Sequence, residues 1–171
     1  MYMEKINFLN KLWPALLLTA FLYGCGFHLR GAYQLPQVMQ TTYIDAAQKN
    51  SSLIRTLKRS LKASDIVFSE NRSDASAILR VGNEKKTRRT VSVDSQGRAR
   101  EYTLTYAVSF SLKAKDDSFE MPEQTISIER DFLFDTEDVL GKSKEESQLY
   151  AEMEQDIVRL ILLGLQSKAQ Q

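Results

Sequence analysis

Residues 100–115 read REYTLTYAVSFSLKAK, and this stretch decides the fold. Tyr102, Leu104, Tyr106, Val108, Phe110, Leu112 and Ala114 fall on one side of an extended chain. Thr103, Thr105, Ala107, Ser109, Ser111, Lys113 and Lys115 fall on the other. Strict alternation of this kind predicts an antiparallel strand with one face buried and one wet. At ~3.4 Å per residue it would exceed roughly 40 Å, longer than most strands.

Working outward, Asp94-Ser95-Gln96-Gly97 is polar and ends in glycine, which fits a hairpin turn. Upstream, Ala77, Leu79 and Val81 alternate with Ile78, Arg80 and Gly82, and Val91 and Val93 keep the same parity. Downstream, past a loop expected at Asp116–Pro122, Ile126, Ile128, Arg130, Phe132 and Phe134 alternate with Thr125, Ser127, Glu129, Asp131 and Leu133. Residues 77–134 therefore read as a three-strand meander. Thr41 to Asp45 looks like a short earlier strand.

Helical spacing appears on either side of the meander. From Ser51 to about Ala63, Leu53, Leu57 and Leu61 form one apolar face, and Ser51 suits the cap. Arg55, Lys58, Arg59 and Lys62 lie opposite, as a solvated face or one that rests on anionic lipid. Near the C-terminus, Ser143 and Glu146 have capping-box spacing. Leu149, Met153, Ile157, Leu160 and Ile161 supply the apolar stripe there, and Gly164 is the expected stop. The order β-α-β-β-β-α predicts an α+β two-layer sandwich. An antiparallel or mixed sheet of about four strands packs against two helices.

The N-terminus carries a different signal. Lys5 and Lys11 precede an apolar run from Leu12 to Leu22, then Tyr23, Gly24 and the only cysteine, Cys25. About 11 apolar residues fall short of the ~20 a spanning helix needs, so residues 1–24 read as an export leader. Cys25, exposed as a new N-terminus, would carry S-linked diacylglycerol and an N-linked acyl chain, and two or more chains anchor stably where one does not. An ordinary secretory leader with an incidental cysteine is the other reading. Residues 25–40 then form an acylated tether and residues 41–171 a single domain.

Several classes fall away on composition. The leader holds Lys5, Lys11 and Glu4. Taking these from 23 basic and 22 acidic residues leaves 21 of each, a neutral mature chain unlike a nucleic-acid binder. One cysteine permits no intrachain disulfide, and the single histidine, His28, lies in the tether. There is no G-x-S-x-G elbow and no glycine-rich phosphate loop. The acidic groups at 116–123 and 135–138 lack calcium-loop spacing. No enzyme, metal or cofactor is expected beyond the covalent N-acyl and S-diacylglycerol groups on Cys25.

The charged constellation is at the hairpin. Lys85, Lys86, Arg88 and Arg89 approach the turn, and Arg98 and Arg100 leave it, with Glu84, Asp94 and Glu101 opposing. Such a local field suits phosphate or carboxylate groups gripped by arginine forks. It equally suits charge that keeps a sheet edge from pairing.

Taken together, the residues resemble the lipopolysaccharide-assembly lipoprotein family LptE. The run Cys25-Gly26-Phe27-His28-Leu29-Arg30, Pro36 before the first strand, Arg100-Glu101-Tyr102 after the hairpin turn, Arg130-Asp131-Phe132 and the C-terminal amphipathic helix carry the likeness. The resemblance implies a non-enzymatic lipoprotein on the periplasmic side of the outer membrane. There it would partner the LptD β-barrel as a plug, aid its assembly, and bind lipopolysaccharide for delivery to the cell surface. Gly26 behind the cysteine agrees with outer-membrane placement. Family members carry a basic residue at the hairpin tip implicated in lipopolysaccharide contact; here Ser95 stands there, with Arg98 and Arg100 nearby. A lipoprotein regulator of a cell-wall synthase is the competing class. A tether of about 15 residues, reaching at most ~50 Å, argues against deep reach into the cell wall.

Overall fold

The long strand around which the sequence was read runs from Ala99 to Ala114 and lies inside a five-stranded sheet. The computed structural model describes residues 33–135 and 138–169, so Cys25, His28 and the expected leader lie outside the described residues. The elements are β1 (Thr41–Ala46), α1 (Ser52–Lys62), β2 (Val67–Phe68), β3 (Ala77–Val93), β4 (Ala99–Ala114), β5 (Glu120–Leu133) and α2 (Val139–Ala169). The sheet order is β2-β1-β3-β4-β5, with β1 parallel to both β2 and β3 and the β3-β4-β5 meander antiparallel. The α+β order expected from the sequence holds. The added strand, β2, has two residues, too few to show a period.

The alternation in β4 becomes the core. Leu104, Tyr106, Val108, Phe110, Leu112 and Ala114 are all buried, and the first five share one core with Leu53, Ile54, Leu57 and Leu61 of α1 and Met153, Ile157, Ile161 and Leu165 of α2. Burying such side chains contributes about 1.5–3 kcal/mol each, so this layer carries the fold. The other face of the meander is short and hydroxylic: Thr103 faces Asp131, Thr105 faces Glu129, and Ser109 bonds Thr125 at 2.8 Å.

Four expectations need correction. Val91 and Val93 do not keep the parity of Leu79 and Val81. The register slips between Gly82 and Lys85, a bulge in which Asn83 takes a left-handed φ of 51°. Beyond it Lys86, Arg88 and Thr90 oppose Tyr106, Leu104 and Tyr102 on the inner face. Second, the loop before β5 ends at Phe119, and Pro122 lies within β5, at the sheet edge where a missing N–H costs no ladder bond. Third, α2 starts at Val139, where Asp138 Oδ1 accepts from the Gly141 amide at 3.1 Å, and the Ser143 capping box is not used.

Fourth, Gly164 does not stop α2. It lies where the helix crosses Phe110, and a Cβ there would stand 3.1 Å from the ring. Glycine is used for close approach, not for a left-handed end. Ser51 caps α1 as expected, its hydroxyl accepting from the Ile54 amide at 3.2 Å.

The last part of the expected tether packs on the domain. Met39 is fully buried, Tyr33, Leu35 and Val38 pack against the core, and the Tyr33 amide donates to Ser64 Oγ at 3.2 Å.

Candidate functional site

Geometry follows from two matched lengths. A helix of 31 residues spans about 46 Å at 1.5 Å per residue, and β4 with 16 residues spans about 50 Å. The helix therefore runs the length of the hairpin, its C-terminal part on Phe110 and its first turns at the hairpin tip.

The tip is a built turn. Asp94 Oδ1 accepts from the amides of Gln96 at 2.8 Å and Arg98 at 2.9 Å, and Arg98 Nε donates to Asp94 Oδ2 at 2.7 Å. Gly97 takes the left-handed φ of 77° that the turn requires. The backbone and side-chain bonds from Arg98 hold the Asp94 carboxyl below its ordinary range.

The six cations of the hairpin do not converge on one point; they divide into three sets. Lys86 and Arg88 turn inward onto α2. The Lys86 ammonium lies 4.5 Å from the Tyr106 ring centre, 5.7 Å from that of Tyr150 and 4.0 Å from Glu154. Glu154 is almost buried and also accepts from Ser52 Oγ at 2.6 Å and Thr56 Oγ1 at 3.2 Å. Arg88 lies 4.5 Å over Tyr102 and pairs with Glu146 at 2.8 Å. The Tyr150 hydroxyl donates to the Thr87 carbonyl at 2.9 Å, and burial, with Glu146 beside it, pushes its pKa up.

Lys85 and Arg89 belong to the outer face, opposite Ala107 and Thr103. Both are exposed and, among the described residues, lie beyond ion-pair distance of any carboxylate.

Arg98 and Arg100 form the third set. They line an open groove of about 610 Å³ with two carboxylates, Asp94 and Asp135, and with Gln96, Leu133, Phe134 and Lys142. Of these, Phe134 belongs to an aromatic cluster beside the groove. Tyr102, Phe132 and Phe134 stack and meet edge to face at centroid distances of 5.7–6.3 Å, and Lys142 lies 5.8 Å from the Phe132 ring. Lys142 pairs with Glu145 at 2.8 Å. Arg100 has no carboxylate within ion-pair distance among the described residues.

Sequence reading missed Lys142 and Glu154 and gave Glu146 only a capping role; the return of α2 along the hairpin brings all three there. Of the nearby acids that it weighed, Asp94 pairs with Arg98, while Glu84 accepts from the Tyr106 hydroxyl at 2.7 Å and Glu101 from Ser92 at 2.8 Å.

With this geometry in place, the relatives are informative. The family model described as lipopolysaccharide-assembly, LptE, matches residues 39–165. The chain belongs to the LptE family. The LPS-assembly lipoprotein LptE of Pectobacterium atrosepticum is 32% identical over 155 residues, covering 86% of this chain and 80% of the relative. That of Photorhabdus laumondii is 28% identical over 88% of this chain and 80% of the relative. The crystal structure of rare lipoprotein B from Shewanella oneidensis superposes with a TM-score of 0.66 at 26% identity, covering 74% of this chain and 94% of that one. The solution structure of lipoprotein B from Nitrosomonas europaea gives 0.64 at 28% identity, covering 80% and 88%. LptE is a family of lipopolysaccharide-assembly lipoproteins and not of enzymes.

Proposed function

We propose that this chain is an outer-membrane lipoprotein, freed of residues 1–24 and acylated at Cys25, that plugs the LptD barrel and aids its assembly. It holds lipopolysaccharide during delivery to the surface. The observation that carries the ligand part is the convergence of Arg98, Arg100 and Lys142 on one groove beside Leu133 and Phe134. Lipopolysaccharide is a phosphorylated glycolipid, and guanidinium forks grip phosphate oxygens in pairs. Lys85 and Arg89 add to the attractive field without lining the groove, while Lys86 and Arg88 hold the hairpin on α2. Ser95 lines the same groove.

Docking of the chain from Tyr33 onward supports a position close to the membrane. Residues 26–32 alone separate the lipid from the domain and reach at most about 25 Å. That reach suits a partner in the same membrane and disfavours a cell-wall synthase.

The test is extraction of the native protein from envelopes in mild detergent, followed by retention of labelled lipopolysaccharide. Wild type is expected to co-purify with a β-barrel and to retain the label, and Arg98→Glu with Arg100→Glu to lose the label but keep the barrel. Unchanged retention in the charge-reversed protein would overturn the ligand assignment, and recovery without a barrel would overturn the plug.

A further inference from the structure

Among the described residues seven large apolar side chains stand exposed, and five of them, Val91, Val93, Leu133, Val139 and Leu140, come from the ends of β3 and β5 and the start of α2. They gather at the same end of the molecule as the groove. Leu133 is 63% exposed and lines it together with Phe134. Val139, 51% exposed, stands one helical turn before Lys142 and so on the same side of α2, while Leu140, 86% exposed, lies about 100° further round the helix and extends the apolar surface away from Lys142. Scattered exposed leucines need no explanation, but a cluster beside a cationic groove does.

We propose that the distal end of the hairpin holds its lipid by two chemistries at once. Arg98, Arg100 and Lys142 take the phosphate, and Leu133, Val139 and Leu140 take the first methylenes of the acyl chains. This rests on the reading of the groove as the lipopolysaccharide site. It adds that the hydrocarbon, and not the charge alone, sets retention. The charges favour an anionic partner, and a concave space of about 610 Å³ suits a phosphorylated sugar head group better than the flat contact that proteins make. An amphiphile with phosphate at the root of its acyl chains satisfies both parts of the lining, whereas a soluble phosphosugar leaves the apolar rim in water. Removing acyl contact from two or three half-exposed side chains is worth about tenfold in affinity.

The experiment compares two probes on the full-length acylated protein: lipopolysaccharide below its aggregation threshold and the same molecule stripped of acyl chains. Wild type is expected to bind the stripped probe about tenfold more weakly. The Leu133→Ser, Val139→Ser, Leu140→Ser protein is expected to bind both probes at the weaker level. Circular dichroism checks its fold, and because the three side chains are exposed their loss opens no cavity. Equal wild-type affinity for the two probes, or a triple variant that keeps the preference, would overturn the acyl contact. Charge reversal at Arg98 and Arg100 separates the two readings. If it weakens both probes while the serine variant changes neither, only the acyl contact fails. If it changes nothing, or neither probe binds wild type, the groove is not the site and both fail.

Discussion

The Arg88 guanidinium donates to the Glu146 carboxylate at 2.8 Å, joining the distal half of β3 to α2 across 58 positions of sequence. Arg88 also lies 4.5 Å over the Tyr102 ring, so the same side chain is held from two directions. The Arg88 side chain is 44% exposed and that of Glu146 21%, which screens the pair. A double-mutant cycle with Arg88→Met and Glu146→Gln is expected to give a coupling of about 0.5 kcal/mol, and Arg88→Met alone to cost about 1 kcal/mol because ring contact is lost as well. Denaturant unfolding measures both. Amide exchange should quicken between Lys86 and Thr90 and stay unchanged at Leu79 and Leu112. A coupling of zero with unchanged exchange would show that the hairpin is held by other contacts.

Gly164 provides a second test. Its hydrogen faces Phe110, and any Cβ would stand 3.1 Å from the ring in a packed core. A branched side chain needs more room than a small ring shift yields. Gly164→Val is therefore expected to destabilise by about 2 kcal/mol through overpacking, although valine has the better helix propensity. An unfolding midpoint at or above that of wild type would mean that α2 slides away from β4 at little cost.

These contrasts show where the sequence was legible. Alternation from Tyr102 to Ala114 and the leucines of α1 report burial directly, because each residue's face follows from its own position. Register does not follow in that way. The bulge at Asn83 reverses which of Lys85, Lys86, Arg88 and Arg89 turn inward, and nothing between Ala77 and Val93 announces it. Gly164 has the same composition signal whether it ends a helix or lets one approach a sheet. Arg98 and Arg100 were visible as charge near a turn, whereas Lys142 joins them only through the tertiary path of α2.

Tyr106 gives a prediction with a defined sign. Its buried hydroxyl donates to Glu84 at 2.7 Å, and burial first, then Glu84, pushes its pKa well above the ordinary 10.0. Its contribution is thus complete below pH 10 and declines above it, as the unfolded chain gains free energy by ionising where the native state cannot. Wild-type stability should fall more steeply between about pH 10 and about pH 11 than that of Tyr106→Phe, which has no such proton to lose. At neutral pH the phenylalanine protein should be about 1 kcal/mol less stable, since Glu84 loses its donor. Parallel curves above pH 10 would place the Tyr106 hydroxyl in contact with solvent.

Asp94 sets the shape of the hairpin tip, and its titration should unmake it. The Arg98 amide and then the Arg98 guanidinium depress its carboxyl pKa below the ordinary 3.8. A depressed carboxylate contributes above the unfolded value and loses that contribution as pH falls through the folded one. The amides of Gln96 and Arg98, which donate to Asp94 Oδ1, should therefore be protected at neutral pH and exchange freely once the solution is acidified below that range. Asp94→Asn keeps an acceptor oxygen but cannot titrate, so its protection at these amides should be partial and independent of pH. Asp94→Ala should show none at any pH. Because this carboxylate holds the Arg98 guanidinium, the side-chain Nε–H signal should broaden in step with the two amides. Retained order at Arg98 Nε in the alanine protein would mean that the groove, and not the turn, positions this arginine.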